Sequence, residues 1–165
     1  MRSTLASLAA MYGIAEIPLT SLPVTSEIRD HFVRARSDVV GGLVPIGNGA
    51  VIVENDSHPP VRRRSTMGHK LAHVFGEHKS DTSLVNERGC RIANQVQDEE
   101  AAEIADELLA PFESAKLLAR RKATNEEIAL QFGVSTDLAR WRMDATGARL
   151  IARRQASARS RVSGQ

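Results

Sequence analysis

Apolar positions along this chain recur mostly at helical spacing, with one interruption of strand character. Thr4 to Gly13 sets Leu5, Leu8, Ala9 and Tyr12 about a turn apart and ends in glycine, which predicts a short first helix. A proline-marked stretch to Pro23 reads as irregular. The charged SEIRDHFVRAR within 24–37 reads as a half-exposed helix with Ile28, His31 and Phe32 inward. Two β-branched runs, Val39 to Ile46 and Ala50 to Glu54, are joined by Gly47-Asn48-Gly49, whose residues readily take positive φ, and so predict a β-hairpin. Pro45 cannot donate to a ladder and places the first of these strands at a sheet edge.

From Asn55 onward the period is helical. Asp56 or Ser57 can cap a helix that opens on Pro59-Pro60 and runs toward His78. Gln97 to Ala110 carries Ala101, Ile104, Ala105, Leu108 and Leu109 on one face and acids on the others, and Pro111 stops it. Helices follow over Phe112 to Arg121 and Asn125 to Phe132. After a turn at Gly133, Ser135 caps a helix holding Leu138, Trp141 and Met143. Residues 1–155 are expected to form one domain, and 156–165 a disordered basic tail.

Composition narrows the function classes. No stretch reaches the roughly 18 apolar residues of a membrane span, and the apolar N-terminal patch is broken by Tyr12, Glu16 and Pro18 before it could serve as a secretion signal. Cys90 is the only cysteine, which excludes an intrachain disulfide and a thiolate zinc cluster; a reducing cytoplasm is the expected setting. Net charge is +2 but strongly segregated: −7 over residues 97–115 and +7 over 116–165. The basic C-terminal third suits an acidic partner or nucleic acid, although a solvated surface explains it equally simply.

The chemistry sits in His69-Lys70-Leu71-Ala72-His73. Two imidazoles four residues apart lie on one helix face and can reach one ion. This is the zincin HExxH arrangement with its acid replaced. In HExxH the glutamate takes the proton from the attacking water, and Lys70 stands in its place. A lysine amine titrating near ~10.4 in water offers no lone pair at pH 7. A third ligand must come from elsewhere. His78 falls one residue short of the metzincin spacing, which finds Lys79, and suits a role behind the ligands. The acids Glu99, Glu100 and Glu103 of the next helix are the other source.

Segments 62–78 (RRRSTMGHKLAHVFGEH) and 98–111 (DEEAAEIADELLAP) resemble the paired motifs RxRFTLAHELGHLLLH and EEEANRFAAELLMP of the ImmA/IrrE metallopeptidase family. EEIALQFGVSTDLARWRMDATG (126–147) is similar to that family's closing FxVSxxALxxRLxxLG helices. The resemblance covers about residues 45–150. It implies zinc as cofactor, His69, His73 and Glu100 as ligands, Lys70 at the catalytic position, and a helix-turn-helix repressor as the protein partner. Glu99 and Glu103 remain alternatives to Glu100. In the helix-turn-helix-like element 125–147, Leu138, Trp141 and Ala145 make one apolar face and leave Arg140 and Arg142 outside, and the resemblance implies that this element packs internally rather than reading DNA. The expected architecture is α+β: a small antiparallel sheet or hairpin on a mainly helical zincin-like domain closed by a helix-turn-helix-like bundle.

Overall fold

The structure, a computed structural model, describes residues 4–34, 41–47, 49–78 and 94–162. Cys90 and Lys79 lie outside the described residues. The fold is α+β and mainly helical, and it divides into two compact units, Met1–Ala105 and Asp106–Gln165.

In the first unit, α1 (Thr4–Met11) leads into β1 (Ile14–Pro18), a 3-10 turn (Leu19–Ser21) and α2 (Ser26–Arg34); β2 (Gly41–Ile46) and β3 (Gly49–Glu54) then precede α3 (Pro60–Phe75) and α4 (Gln95–Leu109), which crosses into the second unit. The hairpin forms as the glycine turn predicts: β2 and β3 pair antiparallel from Ile46↔Gly49 to Gly41↔Glu54, with Gly47 at φ +58°. Pro45 sits on β2, an edge strand of the order β1-β3-β2. The sheet is mixed, because β1 pairs parallel with β3 from Ile14↔Ala50 to Pro18↔Glu54, in a stretch expected to be irregular. Its partner lies more than thirty residues away, so no local turn announces it. Leu5, Ala9, Ile14, Ile52, Met67, Leu71 and Ala72 are buried, and α1 and α3 both pack in this unit, α1 against β1 and α3 against β3.

Two phases differ from the sequence reading. On α2, Ile28 is 49% exposed and His31 is exposed, while Arg29 turns back and donates through Nη2 to the carbonyls of Leu22 and Val24. Polar anchoring, not an apolar stripe, sets the roll of this helix. At the start of α3 neither Asp56 nor Ser57 caps; the N-cap is Pro59 without a side-chain bond. Asp56 accepts from the backbone N–H and hydroxyl of Thr20, and Ser57 donates to Asn55 Oδ1.

Arg63 of α3 clamps Glu54 of β3, with Nε and Nη2 at 2.8 and 2.7 Å from its two carboxylate oxygens. Glu54 is buried at 3% exposure, and this fork makes its ionised form tolerable there. Neighbouring Glu16 of β1 shares the clamp. Withdrawal from water, then the hydrogen bond with Glu54 and its charge, raise the Glu16 carboxyl to about 7, against the pull of Arg63. For Glu54, burial pushes upward but the bonds from Arg63 and Glu16 outweigh it and hold its carboxyl below the ordinary value.

The second unit holds α5 (Phe112–Arg120), α6 (Asn125–Phe132), α7 (Thr136–Ala145) and α8 (Ala148–Val162). α5 packs on α8 and α6 on α7. Small residues at helical spacing, Ala115 and Ala119 on α5 and Ala148 and Ala152 on α8, are buried and permit close approach. A capping box at Thr124 and Glu127 opens α6, Gly133 ends it at φ +65°, and Ser135 caps α7 as expected. The inward face of α7 is Ala139 and Met143, whereas Trp141 is 50% exposed and Ala145 exposed. Arg142, expected outside, turns in: Nε donates to the Ala110 carbonyl and Nη2 to Glu107. α8 runs on to Val162, past Ala156. The Ala and Arg that dominate this stretch are strong helix formers, and no proline intervenes.

Candidate metal centre

His69 and His73 leave the same face of α3 because four residues advance a helix by about 400°, a little over one turn. Their Nε2 atoms stand 3.1 Å apart. A carboxylate from the first turn of α4 completes a triangle: Asp98 Oδ1 lies 3.2 Å from His73 Nε2 and 4.0 Å from His69 Nε2. All three donor atoms fall within 4.8 Å of one another. Donors about 2.0–2.1 Å from a tetrahedral zinc ion stand about 3.3 Å apart, so two edges fit within a few tenths of an ångström and the third needs a shift of about 0.7 Å.

The structure therefore gathers Asp98 at the imidazole pair and not Glu100. Two residues on a helix point about 200° apart, so an α4 that turns Asp98 to the pair turns Glu100 aside. The roll was readable in the sequence. Asp98, Ala101 and Ala105 follow the i, i+3, i+7 rule, and Ala101 and Ala105 are buried at 0% and 4% exposure. Asp98 thus extends the buried stripe of α4. Glu99 is exposed and accepts from Gln95, and Glu103 is exposed.

Glu100 meets His78. Its Oε2 is 3.2 Å from His78 Nε2, and His78 Nδ1 is 2.9 Å from His73 Nδ1. One assignment of protons satisfies the whole chain. Glu100 accepts from His78 Nε2–H, which leaves His78 Nδ1 as an acceptor for His73 Nδ1–H. His73 Nε2 then presents its lone pair to His69 and Asp98. A carboxylate two rings away fixes the tautomer of the buried histidine, as partners behind metal-ligating histidines do.

Local backbone conformation makes this contact possible. α3 ends at Gly76, Glu77 takes φ +51°, and the His78 N–H bonds back to the His73 carbonyl at 3.0 Å. This reversal folds the His78 ring over position 76. A Cβ there would lie 2.6 Å from His78 Nε2, so any side chain at 76 would push the His78 ring out of this position.

Both imidazoles are held neutral. Burial first, then the Lys70 ammonium, lowers His69 below its ordinary value. Burial again, then His69 and Lys70, pushes His73 down to about 4. Two neutral rings and a carboxylate turn lone pairs toward one point, an arrangement that asks for a cation or a shared proton. Lys70 is half-buried, and its positive charge is felt by both rings.

The sequence profile of the IrrE N-terminal-like domain, peptidase family M78, matches residues 16–144. The chain belongs to that family. No curated protein and no solved structure matches it. The IrrE-like match runs from β1 through α7 and contains the whole His69–His73–Asp98 group together with His78 and Glu100. The fold is accordingly that of a zincin-like metallopeptidase, a class that uses zinc, and this donor set suits that ion. Among the described residues no helix is long and apolar enough to cross a membrane.

Proposed function

We propose that this IrrE-like chain is a cytoplasmic zinc-binding protein that engages a helix-turn-helix repressor and is disabled, or nearly so, as a peptidase. One observation carries the reading: the residue between the two histidines, where the fold class places its proton acceptor, is Lys70.

His69, His73 and Asp98 would hold the zinc, and the Glu100–His78 pair would keep the His73 Nε2 lone pair directed at it. When bound, the ion supplies Lewis acidity, which polarises a peptide carbonyl and acidifies water. The chain must supply the rest. An ammonium at position 70 accepts no proton, and among the described residues the carboxylate nearest the imidazoles, Asp98, is committed to the donor triangle. Peptide recognition survives this loss, because gripping a partner needs no base.

DNA reading through the 125–147 element has less support. Arg142 is occupied internally, Arg140 pairs with Asp137 at 3.3 Å, and the exposed face of α7 also carries Asp144. The test is Lys70→Glu assayed beside the wild type with candidate helix-turn-helix repressors and one equivalent of zinc. Zinc-dependent cleavage in the variant alone is expected. Equal cleavage by both proteins would remove the proposed role of Lys70, and a zinc content below about half an equivalent in both would remove the metal centre.

A further inference from the structure

In the second unit, α5 and α8 enclose a cleft of about 360 Å³ lined by Ala119, Arg120, Lys122, Ala123, Arg149, Ala152, Arg153 and Ala156. Four of these side chains are cationic and none is acidic. The surrounding segments are equally one-sided, for residues 114–125 and 145–165 contain no Asp or Glu. A sphere of that volume is roughly 9 Å across, close to the ~8 Å over which charges feel one another at physiological ionic strength.

Among the described residues, no acidic side chain pairs with these cations. Arg120 Nε donates to Gln155 Oε1 at 2.8 Å, and Arg149 Nη2 donates to Asn125 Oδ1. Both partners are neutral amides, which orient a guanidinium and leave its charge intact. The remaining N–H groups of each fork suit bidentate oxygen acceptors. Lys122 stands just past the end of α5 at φ +57°, a conformation that costs a non-glycine residue energy, yet it presents an amine where a glycine would relieve the strain. The negative end of the α5 dipole amounts to about half a charge and offsets only a fraction of four cations. The alanine floor keeps the cleft open, and it offers no aromatic ring for stacking a base.

From this geometry we infer that the α5–α8 cleft binds a phosphate group. The phosphate belongs either to a nucleic-acid backbone or to a small organic phosphate, since the cleft recognises charge and tetrahedral oxygens and nothing more. The cleft shares no lining residue with the metal centre, and α8, which supplies half its cations, lies beyond the residues 16–144 that match the family.

The test uses the full chain at about 150 mM salt. Pyrophosphate binding is measured by titration calorimetry, and binding of a labelled random-sequence duplex by fluorescence anisotropy. The variant Lys122→Ala/Arg153→Ala removes two side chains that make no hydrogen bond or ion pair among the described residues, so folding, checked by circular dichroism, should be unchanged. Pyrophosphate affinity is expected to fall about ten-fold for each cation removed, and Lys122→Arg/Arg153→Lys to restore most of it. Arg140→Ala on α7 serves as the comparator and should have no effect. Duplex binding that pyrophosphate displaces assigns the phosphate to nucleic acid; pyrophosphate binding without duplex binding assigns it to a small phosphate. Binding of neither probe, or equal losses in Arg140→Ala and the double variant, overturns the inference.

Discussion

Asp98→Asn and Glu100→Gln separate the two carboxylates near the histidines. Among the described residues Glu100 hydrogen-bonds to His78 alone, and through it reaches the far side of His73. Its amide variant keeps a weak acceptor for His78 but loses the charge that fixes both tautomers. Loss of such a partner behind a ligand costs about 10–100-fold in metal affinity, or about 1.4–2.7 kcal/mol. Asp98 would be a donor itself, with Oδ1 3.2 Å from His73 Nε2. On the proposed reading, replacing it removes one of the three donors found among the described residues together with their only negative charge, so its cost must exceed the upper end of that range. The assay is competition with a chromophoric chelator at pH 7.5, where both imidazoles are neutral, so that no protonation step confuses the comparison. The expected order is wild type, then Glu100→Gln, then Asp98→Asn, the last more than about 100-fold weaker than wild type. If Glu100→Gln is the weaker binder, the donor triangle is wrong and Glu100 is the ligand. If both variants stay within about three-fold of wild type, neither acid serves zinc.

Gly76→Ala should reproduce the Glu100→Gln loss of about 10–100-fold, because the new methyl occupies the space of the His78 ring; chelator competition measures it, with circular dichroism showing the fold retained. At the Glu54–Arg63 clamp, Glu16 has a folded value of about 7, above its unfolded value of 4.5, so its contribution is fully present below pH 4.5 and is lost as pH rises through 7. Glu16→Gln, uncharged at every pH, should therefore raise stability at pH 8 relative to wild type; since Glu16 is largely exposed, the gain is about 1 kcal/mol by urea unfolding, and no gain would refute the shared proton. Thr124→Ala removes the capping box of α6 and should cost about 1 kcal/mol in the same assay, whereas Thr124→Ser should cost little.

Sequence patterning served best where structure is local. The hairpin followed from Gly47 and its flanking runs, the α6–α7 turn from Gly133 and Ser135, and the imidazole pair from a four-residue interval. It served least where a distant partner decides. β1 is five residues ended by a proline and becomes a strand only by lying along β3. The rolls of α2 and α7 follow from polar anchors that an apolar stripe does not reveal: carbonyls draw Arg29 inward, and a carbonyl and a carboxylate draw in Arg142. Helix roll likewise divides the two acids, Asp98 meeting the imidazole pair and Glu100 meeting His78. Family spacing pointed to one residue and the buried alanine stripe of α4 to another, and two positions of offset on a helix separate facing the site from flanking it.

The arrangement of the centre makes metal holding and bond breaking physically separable. The lone pairs that hold a cation depend on helix roll, on the Glu100–His78–His73 chain and on burial, all of which lie off the position between the histidines. Proton acceptance depends on a single side chain. Lys70 therefore subtracts one capacity while leaving the donors in place, although its charge works against a second cation nearby, as the lowered histidines already register. On the proposed reading that opposition carries a signature. A neutral Lys70→Met variant would hold zinc more tightly than wild type yet cut nothing, and only Lys70→Glu would do both, so affinity would follow the charge at position 70 while cleavage would follow its basicity.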